Sequence, residues 1–150
     1  MNSIVKKIPI LFLIFYFFIG AYYSLKTGIT HDEAHEQKVW EYNFEAVKGL
    51  VNNDQKYEKL QNYKHKYYGI GFQIISQPIQ YPIKILIKKF QKISDKGAQL
   101  LSKHFVIFLF FFISAIFVYK ILRKINISKN FSYLATLLYM LYPYLLGHGF

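Results

Sequence analysis

Cysteine is absent from this chain, which excludes a disulfide framework and any thiolate metal site and leaves the redox compartment undetermined. Acidic side chains are few and confined: all eight lie between Asp32 and Asp95, so both ends of the 150-residue chain carry basic charge only. Internal repeats and low-complexity linkers are missing as well, which removes solenoid and tethered-domain readings. Also missing is the even spread of apolar residues that a soluble domain shows. At 53% hydrophobic and 20% aromatic content, the apolar residues are massed in blocks, the pattern of a membrane protein. The formal charge of +11 invites a nucleic-acid partner, but its distribution argues for none.

Residues 8–25 (IPILFLIFYFFIGAYYSL) carry no charge, follow Lys6 and Lys7, and close on Tyr22 and Tyr23, an aromatic pair suited to a headgroup boundary. A secretory leader begins the same way, but an A-x-A-like cleavage site is missing and further apolar blocks follow, so an uncleaved span is expected. Residues 105–122 (FVIFLFFFISAIFVYKIL) form a second expected span, with Lys120 able to snorkel at its end. A short acid-free connection holding Arg123, Lys124 and Lys129 leads to a third, residues 131–150, where Pro143 is tolerable near the far end.

Residues 70–90 are apolar but interrupted by Gln73, Gln77, Pro78, Gln80, Pro82 and Lys84. Were they to span, the basic stretches 88–103 and 120–129 would face opposite sides, against the positive-inside bias, so this stretch is expected to lie along the surface. The expected fold class is an all-α membrane protein with three transmembrane helices and a long external first loop, residues 26–104, containing amphipathic juxtamembrane helices. Lys6, Lys7 and residues 120–129 fall on the cytoplasmic side, a basic rim facing anionic lipid, and Phe150 falls outside. The expected location is a bacterial inner membrane or its equivalent.

Within the loop, residues 30–51 read as a helix. Thr30 and Glu33 have capping-box spacing, and Trp40, Phe44, Val47 and Val51 form one apolar stripe that can lie at the interface with Trp40 in the headgroups. Asn52-Asn53-Asp54 ends it, and residues 53–69 are polar and loop-like.

The candidate chemistry sits in Thr30-His31-Asp32-Glu33-Ala34-His35, just past the first apolar run. As the second residue of a helix, Asp32 is favourable at the level of about 0.3–1 kcal/mol, a purely structural role. A carboxylate held so close to a bilayer can equally take a proton from an acceptor hydroxyl, a general-base role contributing roughly 10²–10⁴-fold. Glu33 serves as the box partner of Thr30 or helps to orient an acceptor. His31 and His35 stand at i, i+4, as on a zinc-protease helix, but with Asp where that mechanism uses Glu. A third ligand would have to come from Glu36, His65 or His148, and no metal or other cofactor is expected. Tyr63, Tyr67 and Tyr68 among Lys64, His65 and Lys66 form either an interfacial belt or a surface that receives a phosphate and stacks on a sugar. Gly147-His148-Gly149 permits close backbone approach, with a histidine at the membrane edge.

An N-terminal span, then Asp32-Glu33 opening the first external loop, then Tyr67-Tyr68-Gly69-Ile70-Gly71-Phe72 beside the membrane, resembles the GT-C superfamily. These are multi-span glycosyltransferases that take sugars from polyprenyl- or dolichyl-phosphate. Residues 141–150, with Pro143, Gly147, His148 and Phe150, are similar to a Pro…Gly-His-x-Phe segment in the branch related to protein mannosyltransferases, although Tyr144 stands where an arginine often follows the proline. The resemblance implies an inverting transfer to an acceptor protein, lipid or glycan, with Asp32 as base and Glu33 beside it. It implies His31, Tyr68 and His148 as substrate-binding residues at the external face. It also implies that the chain is the N-terminal part of a longer protein and inactive alone. The rival readings are a membrane zinc metalloprotease using His31 and His35, and a small non-enzymatic membrane protein.

Overall fold

The computed structural model describes residues 3–26, 28, 31–52, 58–66 and 70–142, and among these the side chains of all but 3–10, 31, 32 and 34. The described residues are all-helical, without a strand: α1 (Ser3–Ser24), α2 (His31–Val51), α3 (Glu58–Gln61), α4 (Gly71–Phe90), α5 (Asp95–Lys124) and α6 (Lys129–Leu141). Two compact units divide the chain, Met1–Thr27 with Ile83–Phe150, and Gly28–Pro82.

The first unit is built on α1, α5 and α6, which run up, down and up. Gly20 of α1 lies against Phe108 of α5, and Phe17 meets Phe112 with ring centroids 5.1 Å apart, so α1 and α5 are antiparallel. Tyr119 and Tyr133 stack at 4.8 Å and Phe111 and Tyr139 at 5.6 Å, so α6 doubles back along α5. Phe108 is fully buried among Tyr16, Phe17 and Phe112. Two polar bonds tie the bundle from within. The Tyr16 hydroxyl donates to the Met140 carbonyl at 3.0 Å, satisfying an acceptor that the last turn of α6 leaves open. Ser114 Oγ and the Tyr139 hydroxyl share a bond of 2.8 Å.

The reversal between α5 and α6 follows from local chemistry. Asn126 takes the left-handed region, φ 66°, which asparagine tolerates better than most residues. Its N–H bonds the Arg123 carbonyl, the Ile127 N–H bonds the Leu122 carbonyl, and the Arg123 guanidinium donates to the Ile127 carbonyl. This is a Schellman closure that satisfies the last acceptors of α5. At its other end, α5 is capped by Ser94, whose hydroxyl accepts from the Gly97 N–H at 3.1 Å.

α5 encloses the expected span 105–122, and it is the one helix among the described residues long and apolar enough to cross a membrane. The apolar part of α1, Leu11–Ser24, is shorter, and α6, 13 residues long, covers residues 131–141 of the expected third span. Residues 143–150 lie outside the described residues.

α4 is a continuous helix over the ambiguous stretch, and it runs through both Pro78 and Pro82. The two prolines are exposed at i, i+4, and two residues of helix turn them about 200° away from buried Ser76 and Gln80. The carbonyls left without an N–H partner therefore face outward. In α2 the expected stripe is largely exposed, with Val51 79% accessible, while Val39 and Ala46 on another face are buried. Trp40, half-buried, stacks on Phe44 at 5.2 Å, and the Lys48 ammonium lies 4.4 Å from the Phe44 centroid.

Candidate functional site

α1 ends at Ser24, and Leu25 and Lys26 close a turn through bonds to the carbonyls of Tyr22 and Tyr23. α2 begins at His31, which puts Asp32 and Glu33 in its first turn. Backbone N–H groups without helical partners and the positive end of the helix dipole favour ionised carboxylates in such a turn. Glu33 is half-buried and engaged by neighbours. The side chains of His31 and Asp32 lie outside the described residues, as do Thr30 of the expected capping box, Tyr67, Tyr68 and the whole of Gly147-His148-Gly149. Of the expected site, the structure describes the backbone of the acidic pair and the side chain of Glu33.

One turn further along α2, the described geometry becomes dense. His35 Nδ1 and the Tyr63 hydroxyl share a hydrogen bond of 3.2 Å, with the donor set by the tautomer. The His65 ring stands edge-on to His35, with centroids 4.2 Å apart, and Tyr63 meets Tyr42 edge-on at 4.8 Å. Further along α2, Lys59 of α3 donates to Glu45 at 3.1 Å. Residues 58–66 thus return antiparallel along α2, with Tyr63 inserted between His35 and Tyr42, which lie seven residues apart on one helical face.

Partial burial among these rings, then the neighbouring His35, then Lys64, hold the His65 imidazole below its usual pKa. At neutral pH His65 is therefore an uncharged donor and acceptor. The cluster of His35, Tyr63 and His65 suits hydroxyl-bearing groups better than anions.

In the sequence, Tyr63 and His65 group with a tyrosine belt and His35 pairs with His31. The link between His35 and residues 63–65 crosses 28 positions, and periodicity does not report such contacts. Of the third-ligand candidates, His65 does come beside His35, while Glu36 is exposed and His148 lies outside the described residues. Among the described residues, no three His, Asp or Glu side chains are grouped to hold a metal ion.

A second feature had no sequence signal beyond its position. Ser102, Lys103 and His104, just before the apolar core of α5, are buried, and Lys103 and His104 each have interaction partners. In the antiparallel register set by Gly20 and Phe108, they are level with buried Ser24 at the end of α1. The chain matches no protein-family model, no curated protein and no solved structure.

Proposed function

We propose that this chain is the front part of a membrane glycosyltransferase of the GT-C type. It crosses the bilayer with α1, α5 and α6 and presents Asp32 at the external face as the general base. The observation that carries the reading is the position of the acidic pair: Asp32 and Glu33 open a helix separated by six residues, 25–30, from the end of the apolar α1.

The bundle supports the membrane part. Its alternation gathers Lys120, Arg123, Lys124 and Lys129 at the end where α1 starts, the asymmetry expected of a cytoplasmic rim. The 30 residues of α5 measure about 45 Å, against a hydrocarbon core of about 30 Å, so its first turns, with Lys103 and His104, extend beyond the apolar layer on the other side.

In the reaction, the acceptor oxygen bonds to the anomeric carbon of the sugar as its proton passes to the Asp32 carboxylate. The bond from that carbon to the phosphate oxygen breaks, and its electron pair leaves with the polyprenyl phosphate. Attack opposite the leaving group inverts the sugar. Position in the first turn of α2 keeps Asp32 ionised and ready. Glu33 orients the acceptor, and His31, Tyr68 and His148 bind the sugar and its phosphate.

In the intact protein with its native lipid donor, Asp32→Asn lowers transfer by about two orders of magnitude or more with little change in donor retention. Near-normal turnover in that variant rejects the base assignment. Labelling of residue 32 from the cytoplasmic side alone rejects the topology.

A further inference from the structure

Between α1, α5 and α6, toward the basic end of the bundle, lies a cavity of about 510 Å³. That volume is within the roughly 300–1,000 Å³ typical of small-molecule sites. Leu13, Ile116, Leu134, Leu137 and Met140 supply much of its wall, and no charged side chain lines it. From Tyr133 to Met140 the cavity follows α6 for about 10 Å, at 1.5 Å per residue.

Its mouth is of opposite character. Tyr119 and Tyr133 stack there with ring planes 19° apart, and the Lys129 ammonium lies 5.6 Å from the Tyr133 centroid. Arg123 stands one turn beyond Tyr119 and spends one donor on the Ile127 carbonyl, which leaves further guanidinium N–H groups for a ligand. Lys120 and Lys124 are exposed on the same end, and no acidic residue follows Asp95 in the chain to oppose them.

A soluble anion would leave the apolar slot unused, and a neutral hydrocarbon would leave the cationic mouth unused. An amphiphile with a chain and an anionic head uses both. Resting on the membrane reading above, we propose that this cleft binds one anionic diacyl phospholipid from the leaflet at the basic end of the bundle. One acyl chain lies along Leu13, Ile116 and Leu137, and the phosphate meets Tyr119, Tyr133, Arg123 and Lys129. The lipid wedges α1 against the α5–α6 hairpin and is distinct from the sugar donor of the reading above.

The test is native mass spectrometry of the full chain in detergent, titrated with phosphatidylglycerol or phosphatidylcholine of the same acyl composition. One phosphatidylglycerol is retained per chain, at least tenfold more tightly than phosphatidylcholine. The double variant Arg123→Ala with Lys129→Ala loses that preference, at about five-fold per charge. Leu134→Trp, at a half-exposed position on the cleft wall, blocks retention of both lipids while helix content holds. Millimolar glycerol phosphate leaves the bound lipid in place. Equal retention of the two lipids overturns the proposal and needs no variant. Displacement by glycerol phosphate also overturns it, in favour of a plain phosphate site, as does undiminished binding to Leu134→Trp. If the chain is released from membranes by alkaline carbonate, the membrane reading falls with the inference. If it stays in the membrane and shows no headgroup preference, the inference alone falls.

Discussion

The two compact units of this chain hold themselves together by different means. In the unit of α1, α5 and α6, aromatic rings do most of the work: Phe108 is fully buried, and Tyr16, Phe17 and Phe112 surround it at centroid distances of 6.0–6.3 Å. In the unit of α2 and α3, polar and titratable contacts stand beside the Tyr42–Tyr63 ring pair: His35 on Tyr63, His65 on His35 and Lys59 on Glu45. The first kind of contact is indifferent to pH and salt, whereas the second responds to both. The candidate carboxylate thus begins the helix of the more responsive unit.

The sharpest way to break this contrast is at two glycines, one in each unit. A Cβ at Gly20 would overlap the Phe108 ring, and that ring, enclosed by three others, has nowhere to swing. Gly20→Ala therefore destabilises the bundle by about 1–3 kcal/mol through overpacking, and Gly20→Leu by more. A Cβ at Gly71 meets nothing within 4 Å. Gly71→Ala at the start of α4 is neutral or stabilising by up to about 1 kcal/mol. Thermal unfolding in detergent reads both. A Gly20→Ala protein as stable as its parent would mean that α1 and α5 do not pack through this contact.

Acid separates the units next. The folded His65 pKa is lowered, by partial burial, His35 and Lys64 in that order. A group of this kind favours the closed arrangement fully above its free value, near 6.5, and loses that contribution as pH falls through the lowered folded value. Amide exchange at 58–66, corrected for intrinsic chemistry, therefore accelerates as pH drops below about 6.5, while exchange in the α5–α6 hairpin stays level. His65→Phe keeps an edge-to-face ring on His35 and removes most of the acid response. Should the response persist in that variant, His65 is not its origin.

Much of the architecture was legible in the sequence because hydrophobic blocks report helices directly. Residues 105–122 lie inside α5, and the expected helix 30–51 agrees with α2 to one residue at its start. Elsewhere local rules fell silent. Composition cannot show that Pro78 and Pro82 both face outward on one continuous helix. The buried side of α2, at Val39 and Ala46, was hidden because the larger residues Trp40, Phe44 and Val47 dominate the pattern. For the site, the sequence gives the acidic pair and its helix start, which depend on neighbours a few positions apart. It could not join His35 to Tyr63 and His65, or bury Lys103 and His104, because those depend on which distant segments fold back. Tyr68 and His148 lie outside the described residues, so their grouping with Asp32 belongs to the proposal.

The smallest expected effect asks whether the contrast belongs to the units or to the kind of interaction. Asp95, at the first turn of α5 in the aromatic unit, takes two ammonium groups from α4: Lys84 donates at 2.6 Å and Lys88 at 2.9 Å. Those bonds, Lys84 first and then Lys88, hold its carboxyl at about 2. Its folded pKa is depressed from 3.8, so its contribution is complete above that ordinary value and disappears as pH falls through about 2. With Asp95 63% exposed and Lys84 22%, solvent screens most of the attraction, and the effect is small. Asp95→Asn therefore lowers the melting temperature slightly, by the same amount from pH 7 to pH 5. The difference from the parent closes between pH 4 and pH 2 and shrinks in molar salt. A polar clasp inside the aromatic unit that follows this curve would show that chemistry, not location, sets the response. A difference unchanged at pH 2 would mean instead that Asp95 acts through its shape at the helix start, and the division between units would stand as drawn.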